Sequence, residues 1–172
     1  MMEPSPLPRP DAARGPDDTD RGRRRAPLRG GGEAHVSRVV VLGAGVAGHT
    51  AAAFARKWLG RDDTVTVVSP RPQYNWIPSN IWVGVGVMTP EDVTFDLAPV
   101  YARHGIDFRL AYAREIHPEG DADDPEPYVM VQPAGADGGP LERVPYDFLI
   151  NATGPRLRFD MTPGLGPDAN TL

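Results

Sequence analysis

The stretch Arg38 to Gly48, RVVVLGAGVAG, decides the fold. In Arg38-Val39-Val40-Val41-Leu42 the arginine leads into a continuous, mostly β-branched apolar run, the pattern of a strand covered on both faces in a parallel sheet. Gly43-Ala44-Gly45-Val46-Ala47-Gly48 follows without a spacer. His49 to Leu59 then reads as a helix, with Ala51, Ala52, Ala53 and Ala55 giving a small-residue face and Phe54 and Trp58 one turn apart. Gly60 closes it, and Thr64-Val65-Thr66-Val67-Val68 is a second covered strand. Strand, glycine turn, helix and strand make one right-handed βαβ unit.

A G-x-G-x-x-G taken alone says little. Directly after a covered strand and at the start of a helix, each glycine has a task. Gly43 permits the tight turn, Gly45 removes the side chain that would keep a pyrophosphate off the backbone, and Gly48 lets the helix approach the sheet. The N–H groups of Val46, Ala47 and Gly48 then face the ligand at the positive end of the helix dipole. Each such contact contributes about 0.3–1 kcal/mol.

The end of the second strand leaves the dinucleotide open. An acidic residue there ordinarily holds ribose hydroxyls, but this chain has Ser69, then Pro70 and Arg71. Ser69 offers a single hydroxyl to a ribose. Arg71 would suit a 2′-phosphate, so NADP and NAD compete with FAD at this point. Tyr146-Asp147-Phe148-Leu149-Ile150-Asn151-Ala152-Thr153-Gly154-Pro155 shifts the balance to FAD. A strand ending in Ala152-Thr153-Gly154 after an antiparallel excursion returns the chain to the cofactor, and small residues permit close approach.

The rest of the chain is read outward from that unit. Thr89-Pro90-Glu91 looks like a helix start. Asp96 to His104 is helical, and Ile106 to Ile116 is a strand. Tyr128 to Val131 and Arg143 to Ile150 are read as two strands of the excursion. Between Gln73 and Trp82 lies a proline-punctuated aromatic segment. Its rings Tyr74, Trp76 and Trp82 are read either as core packing under a loop or as part of a cofactor border. Residues 1–35, rich in Pro, Gly and Arg and without aromatics, are expected to be a disordered tail. Arg23-Arg24-Arg25 is no export signal, because no apolar segment follows.

Composition sets the outer limits. With 172 residues, 40% hydrophobic and 24% charged, the chain has the make-up of a soluble globular domain. A net charge of −5 gives no basic face for nucleic acid. No apolar stretch approaches the ~20 residues of a membrane span. Cysteine is absent, so these residues hold no thiol redox chemistry. His49 is read as helix surface or packing, His104 and His117 as exposed. Asp121, Asp123, Asp124 and Glu126 are read as a solvated acidic loop, and no spacing resembles a metal site.

With these motifs in place, the sequence resembles the sulfide:quinone oxidoreductases, within the FAD-dependent pyridine nucleotide-disulfide oxidoreductase superfamily. The resemblance runs from about Arg38 to Pro167. It rests on Val41-Leu42-Gly43-Ala44-Gly45, Val67-Val68-Ser69, the Ala152-Thr153-Gly154 return and, most discriminating, Ile77-Pro78-Ser79-Asn80-Ile81-Trp82-Val83-Gly84-Val85-Gly86. It implies a Rossmann-like α/β FAD-binding domain, a parallel sheet with a βαβ glycine turn and a small antiparallel excursion, of which residues 36–172 are the incomplete N-terminal part. Gly43 to Ala47 would cradle the FAD pyrophosphate, with Gly48 closing the turn. Ser69 and Pro70 would line the adenosine ribose, and Ala113 would meet the adenine through its backbone. Ile77 and Gly154, with Thr153, would lie on the flavin side.

The resemblance also implies a function for the full-length parent: electrons pass from sulfide through FAD to quinone, by way of redox cysteines expected after Leu172. Membrane association would be peripheral, on the cytoplasmic side, through a C-terminal part. The 172 residues alone would be soluble, cytoplasmic and inactive. Two alternatives stand beside this: a type II NADH:quinone oxidoreductase, and a non-catalytic dinucleotide-binding remnant.

Overall fold

The structure, a computed structural model, describes residues 36–135, 139–155, 158–161 and 163. The expected tail at 1–35 and the ending from 164 onward lie outside the described residues.

Strand β1 (Arg38–Leu42) leads through the glycine turn into helix α1 (Val46–Trp58), and β2 (Thr64–Ser69) pairs parallel to β1. The helix begins three residues earlier than the sequence reading placed it, so the end of the glycine motif is already helical. A short antiparallel pair follows, β3 (Gln73–Asn75) with β4 (Thr94–Asp96). Between its strands lie a 3-10 turn (Ile77–Ser79), the short helix α2 (Asn80–Gly84) and a second 3-10 turn (Pro90–Val93). That last turn is held by a capping box between Thr89 and Asp92, as the Thr-Pro-Glu pattern predicts. Helix α3 (Leu97–Arg103) leads to the long strand β5 (Asp107–His117), then β6 (Tyr128–Pro133), β7 (Glu142–Pro145) and β8 (Phe148–Asn151).

The six-stranded sheet runs β7-β6-β5-β2-β1-β8. β5, β2, β1 and β8 are mutually parallel, while β6 and β7 are antiparallel. β5 belongs to both parts: Asp107 to Leu110 pair with β2, and Ala111 to His117 pair with β6. The register slips between Ala113 and Glu115, leaving Arg114 as a bulge. Alternation along β1 divides the core in two. Val39 and Val41 pack with Ala52 of α1 and with Leu97 and Tyr101 of α3. Val40 and Leu42 pack on the other face with Val129, Val131, Val144 and Tyr146 of the excursion.

The single strand read over Arg143 to Ile150 is two strands at opposite ends of the sheet order. Pro145 has no N–H for the ladder. The next two residues turn instead: the Tyr146 N–H donates to the Pro127 carbonyl and the Asp147 N–H to the Arg38 carbonyl. The Asp147 carboxylate accepts from the Arg38 backbone N–H at 2.6 Å and pairs with its guanidinium at 2.8 Å. Glu126 meets the same guanidinium at 2.7 Å, and the two carboxylates push the Arg38 pKa upward, Asp147 more than Glu126. This ion cluster joins the start of β1, the entry to β6 and the start of β8.

His117 is half-buried, not exposed as expected. It stacks on Tyr128 with ring centroids 4.4 Å apart and reaches Glu115 at 3.0 Å. The acidic loop is an ordered turn: the Asp121 carboxylate accepts from the N–H groups of Asp123 and Asp124 and from the Tyr128 hydroxyl. Arg143 lies over the Tyr128 ring and pairs with Asp124 at 2.9 Å. Among the described residues no cluster of His, Asp or Glu is grouped to hold a metal ion.

Candidate dinucleotide site

Parallel strands place their carboxyl ends along one edge of the sheet, and ligands of open α/β sheets bind outside that edge. Four of the motifs read from the sequence arrive there: Gly43 to Gly48 after β1, Ser69 and Pro70 at the end of β2, Ala113 on the extension of β5, and Ala152 to Gly154 after β8.

The glycines divide into two kinds. Gly43 has a φ of +93°, and a Cβ built on it would lie 2.4 Å from the Ala152 carbonyl oxygen. A Cβ on Gly48 would lie 1.9 Å from the Gly43 carbonyl oxygen and 3.3 Å from the Ala152 side chain. These two glycines let the turn, the helix and the return from β8 press together backbone to backbone. Gly48 therefore packs against the turn itself, a closer constraint than the helix-to-sheet contact the sequence reading gave it. Gly45 is different. It is exposed, its φ is −73°, and a Cβ there would meet nothing within 4 Å.

Gly45 is also the N-cap of α1. It carries no side-chain cap, and the first turn has no acidic residue. The His49 N–H is the first to bond back, to the Gly45 carbonyl at 2.8 Å. Val46 and Ala47 are exposed, and among the described residues no acceptor meets their N–H groups at the positive end of the 13-residue helix. The turn is open at Gly45 and closed behind by the contacts of Gly43 and Gly48. The Gly43 N–H donates to the Val68 carbonyl at 2.8 Å, which ties the turn to the end of β2.

Ser69 is buried, and its hydroxyl serves its own loop: it accepts from the Arg71 N–H at 3.2 Å and faces the Arg71 carbonyl at 3.3 Å. It shapes the loop that carries Pro70. Among the described residues the Arg71 guanidinium has no partner.

Ala113 has an edge to offer. The Leu110 carbonyl accepts from the Ala134 N–H, so Leu110 directs its backbone groups away from β2. Alternation then turns those of Ala113 to the β2 side. β2 ends in register with Leu110, so Ala113 extends past it and nothing of β2 covers it.

The aromatic segment splits. Tyr74 is core, 6% exposed, stacked on Phe95 at 4.8 Å and 5.1 Å from the His49 ring. Trp76 and Trp82 are 48% and 51% exposed, which corrects the core reading for both rings. Ile77, Ile81, Val85 and Val87 are exposed as well. The backbone of this stretch is satisfied by its own turns, and no apolar partner lies above it among the described residues. Its root is nevertheless fixed beside α1, because His49 sits in the first helical turn. Ile77 opens the 3-10 turn and is 65% exposed.

Two features were missed in the sequence. His49 and Tyr101 form a pair, Nδ1 to hydroxyl at 3.1 Å. Burial lowers the His49 pKa, with His104 adding to it, and raises that of Tyr101 to about 12. Both shifts favour a neutral imidazole beside a protonated phenol, which share one hydrogen bond. The other is Asn151, whose Oδ1 accepts from the Thr153 hydroxyl at 2.9 Å and from its N–H at 3.3 Å. A polar residue closing the apolar run Phe148-Leu149-Ile150 was the available signal.

No family model matches the chain. Over 121 residues it is 31% identical to the sulfide-quinone reductase of Aquifex aeolicus, a match taking in 70% of this chain and 25% of the relative. The crystal structure of the sulfide:quinone oxidoreductase from the same hyperthermophilic bacterium superposes with a TM-score of 0.60 at 30% identity, over 72% of this chain and 26% of that one. NDH2 from Plasmodium falciparum, solved in complex with NADH, shares the fold: TM-score 0.57, 17% identity, 72% of this chain and 23% of that one.

Fold and corner together define a Rossmann-like module of the FAD/NAD(P)-binding oxidoreductases. Within that class the resemblance to the sulfide:quinone oxidoreductase family holds at the level of sequence and of structure. The chain spans about a quarter of the length of the curated relative it matches. Among the described residues no helix is long and apolar enough to cross a membrane.

Proposed function

We propose that this chain holds FAD, with the pyrophosphate on the Gly43–Gly48 turn, as the dinucleotide-binding part of a sulfide:quinone-type oxidoreductase. The observation that carries the reading is the division among the glycines. Gly43 is locked against Ala152 and Gly48 against the Gly43 carbonyl, while Gly45 meets nothing and Val46 and Ala47 are exposed. A glycine turn kept only for packing needs no open third glycine.

In this reading Val46 and Ala47 donate to the phosphates. The Ser69 loop and Pro70 border the adenosine ribose, and the backbone of Ala113 meets the adenine edge. Thr153 and Gly154, with φ +77° at Gly154, bring the β8 return alongside the flavin, and Ile77 completes that side. The bound flavin would supply a two-electron acceptor. The residues of this chain bind and orient it; having no cysteine, they supply no thiol. Sulfide as donor and quinone as acceptor belong to the whole protein, which would sit peripherally on the cytoplasmic side of the membrane. Support for sulfide is the 31% identity to a sulfide-quinone reductase.

The test is a titration of the purified chain with FAD, followed by visible absorbance and flavin fluorescence, with NADP+, NAD+ and ADP as competitors. Saturable binding of one FAD, displaced by ADP, is expected. Tighter binding of NADP+ than of FAD would overturn the cofactor and hand the site to Arg71. For the parent enzyme, sulfide-dependent against NADH-dependent quinone reduction separates the sulfide reading from the type II NADH:quinone one.

A further inference from the structure

We infer that Asn151 is a positioning residue of the dinucleotide corner, an uncharged clamp that sets the return turn at Thr153; the inference rests on the dinucleotide reading above. Asn151 is the last residue of β8 and lies in register with Leu42, the residue before the glycine turn. Its Oδ1 receives both the hydroxyl and the N–H of Thr153, at 2.9 and 3.3 Å. Such a turn closes the backbone locally, independently of the sheet. On the other side the Ala152 N–H donates to the Leu42 carbonyl at 2.8 Å. The return is therefore held twice, once to β1 and once to itself.

The position gives the clamp its leverage. Ala152 is the residue against which both Gly43 and Gly48 are closed. A return turn that relaxed would change the surface on which the phosphate-binding glycines rest. Asn151 is itself exposed, so burial does not explain the residue type; the two bonds to Thr153 do.

The choice of a carboxamide over a carboxylate follows from charge. An aspartate has the same oxygen in the same place and would accept the same two bonds. It would also place a negative charge at the carboxyl end of β8, on the sheet edge that the pyrophosphate approaches, where like charges repel. Asparagine supplies the acceptor without the charge. A second consequence concerns Thr153. Its hydroxyl hydrogen is committed to Asn151, so toward a ligand it presents lone pairs only. It can accept from a ribityl hydroxyl or a flavin N–H, and it cannot donate to a phosphate.

Two variants of the full chain test this: Asn151→Leu and Asn151→Asp. Amide hydrogen exchange at Thr153 is read without ligand, and FAD affinity at low and high salt. Asn151→Leu is expected to speed Thr153 exchange and to weaken FAD binding, each by about fivefold to tenfold, the loss of one hydrogen bond. Asn151→Asp is expected to exchange like wild type yet bind FAD about threefold to tenfold more weakly at low salt, with the deficit shrinking at high salt. Wild-type exchange at Thr153 in Asn151→Leu would overturn the clamp, and so would wild-type FAD affinity in that variant. An unmutated chain that binds no FAD would sink the dinucleotide reading instead, with the exchange measurement still deciding whether the clamp exists.

Discussion

The glycine turn and the aromatic segment are the two motifs that identify this chain, and they are built in opposite ways. Gly43 to Gly48 is closed from behind by Ala152 and tied to β2 by the Gly43 N–H, which donates to the Val68 carbonyl. Its working groups are main-chain N–H donors, which need rigidity and no side chain. Trp76 to Val87 leaves six large apolar side chains in solvent, and only its flanks, Tyr74 and Val93, enter the core. The first motif carries its supports within these residues. The second is a contiguous apolar exposure of the kind that marks a contact surface. His49, at the start of α1, packs on Tyr74 and Phe95 and so links the two motifs.

The contrast breaks most decisively at Gly48. Gly48→Ala would drive a methyl group into the Gly43 carbonyl, where neither backbone segment has room to retreat. The expected loss exceeds about 4 kcal/mol, beyond the ordinary range for point changes, and equilibrium urea unfolding measures it. A stable, FAD-binding Gly48→Ala chain would show that the turn is far looser than its contacts imply.

The same contrast predicts unequal tryptophans and tyrosine. Tyr74→Ala removes a buried ring stacked on Phe95 and is expected to cost about 3 kcal/mol. Trp82→Ala, with half the ring already in water, is expected to cost less than about 1 kcal/mol. Equal losses in urea unfolding would mean that the segment is held against something the fold does not display.

Much of the fold was legible because its signals are local. The run Val39 to Leu42 and the glycines after it allow one kind of βαβ unit, and Thr89-Pro90 marks a turn by its own chemistry. What escaped depends on distant partners. Nothing within Arg143 to Ile150 says that the strand breaks at Pro145; the break is made by Arg38, more than a hundred positions earlier, drawing Asp147 to the start of β1. β3 and β4 went unread because three-residue strands carry no periodicity. In the site, Gly43, Gly45 and Gly48 could be assigned roles from spacing alone. Spacing gave no hint that Ser69 spends its hydroxyl on Arg71, or that Asn151 holds Thr153.

A smaller effect tests the hinge between the two regions. His49 is held toward its neutral form because burial, with His104 adding to it, disfavours its charge, and its Nδ1 lies 3.1 Å from the Tyr101 hydroxyl. Its folded pKa lies below the unfolded value of about 6.5, so the unfolded chain binds more protons in that window. This contribution to stability is complete above about pH 6.5 and declines as pH falls through that value toward the folded pKa. Urea midpoints measured from pH 7.5 to 5 are expected to fall more steeply for wild type than for His49→Leu. Parallel slopes would remove His49 as the link.

Gly45 gives the smallest change in stability and the sharpest separation. Its φ of −73° is open to any residue and a Cβ meets nothing within 4 Å, so Gly45→Ala costs only what an N-cap loses in going from glycine to alanine, about 0.5 kcal/mol. Yet the methyl group would stand on the side from which the phosphates reach Val46 and Ala47. FAD affinity is therefore expected to drop about tenfold or more while the unfolding curve barely moves, the reverse of Gly48→Ala. Should Gly45→Ala bind FAD as wild type does, the open glycine would not face the pyrophosphate, and the corner would owe its three glycines to packing alone.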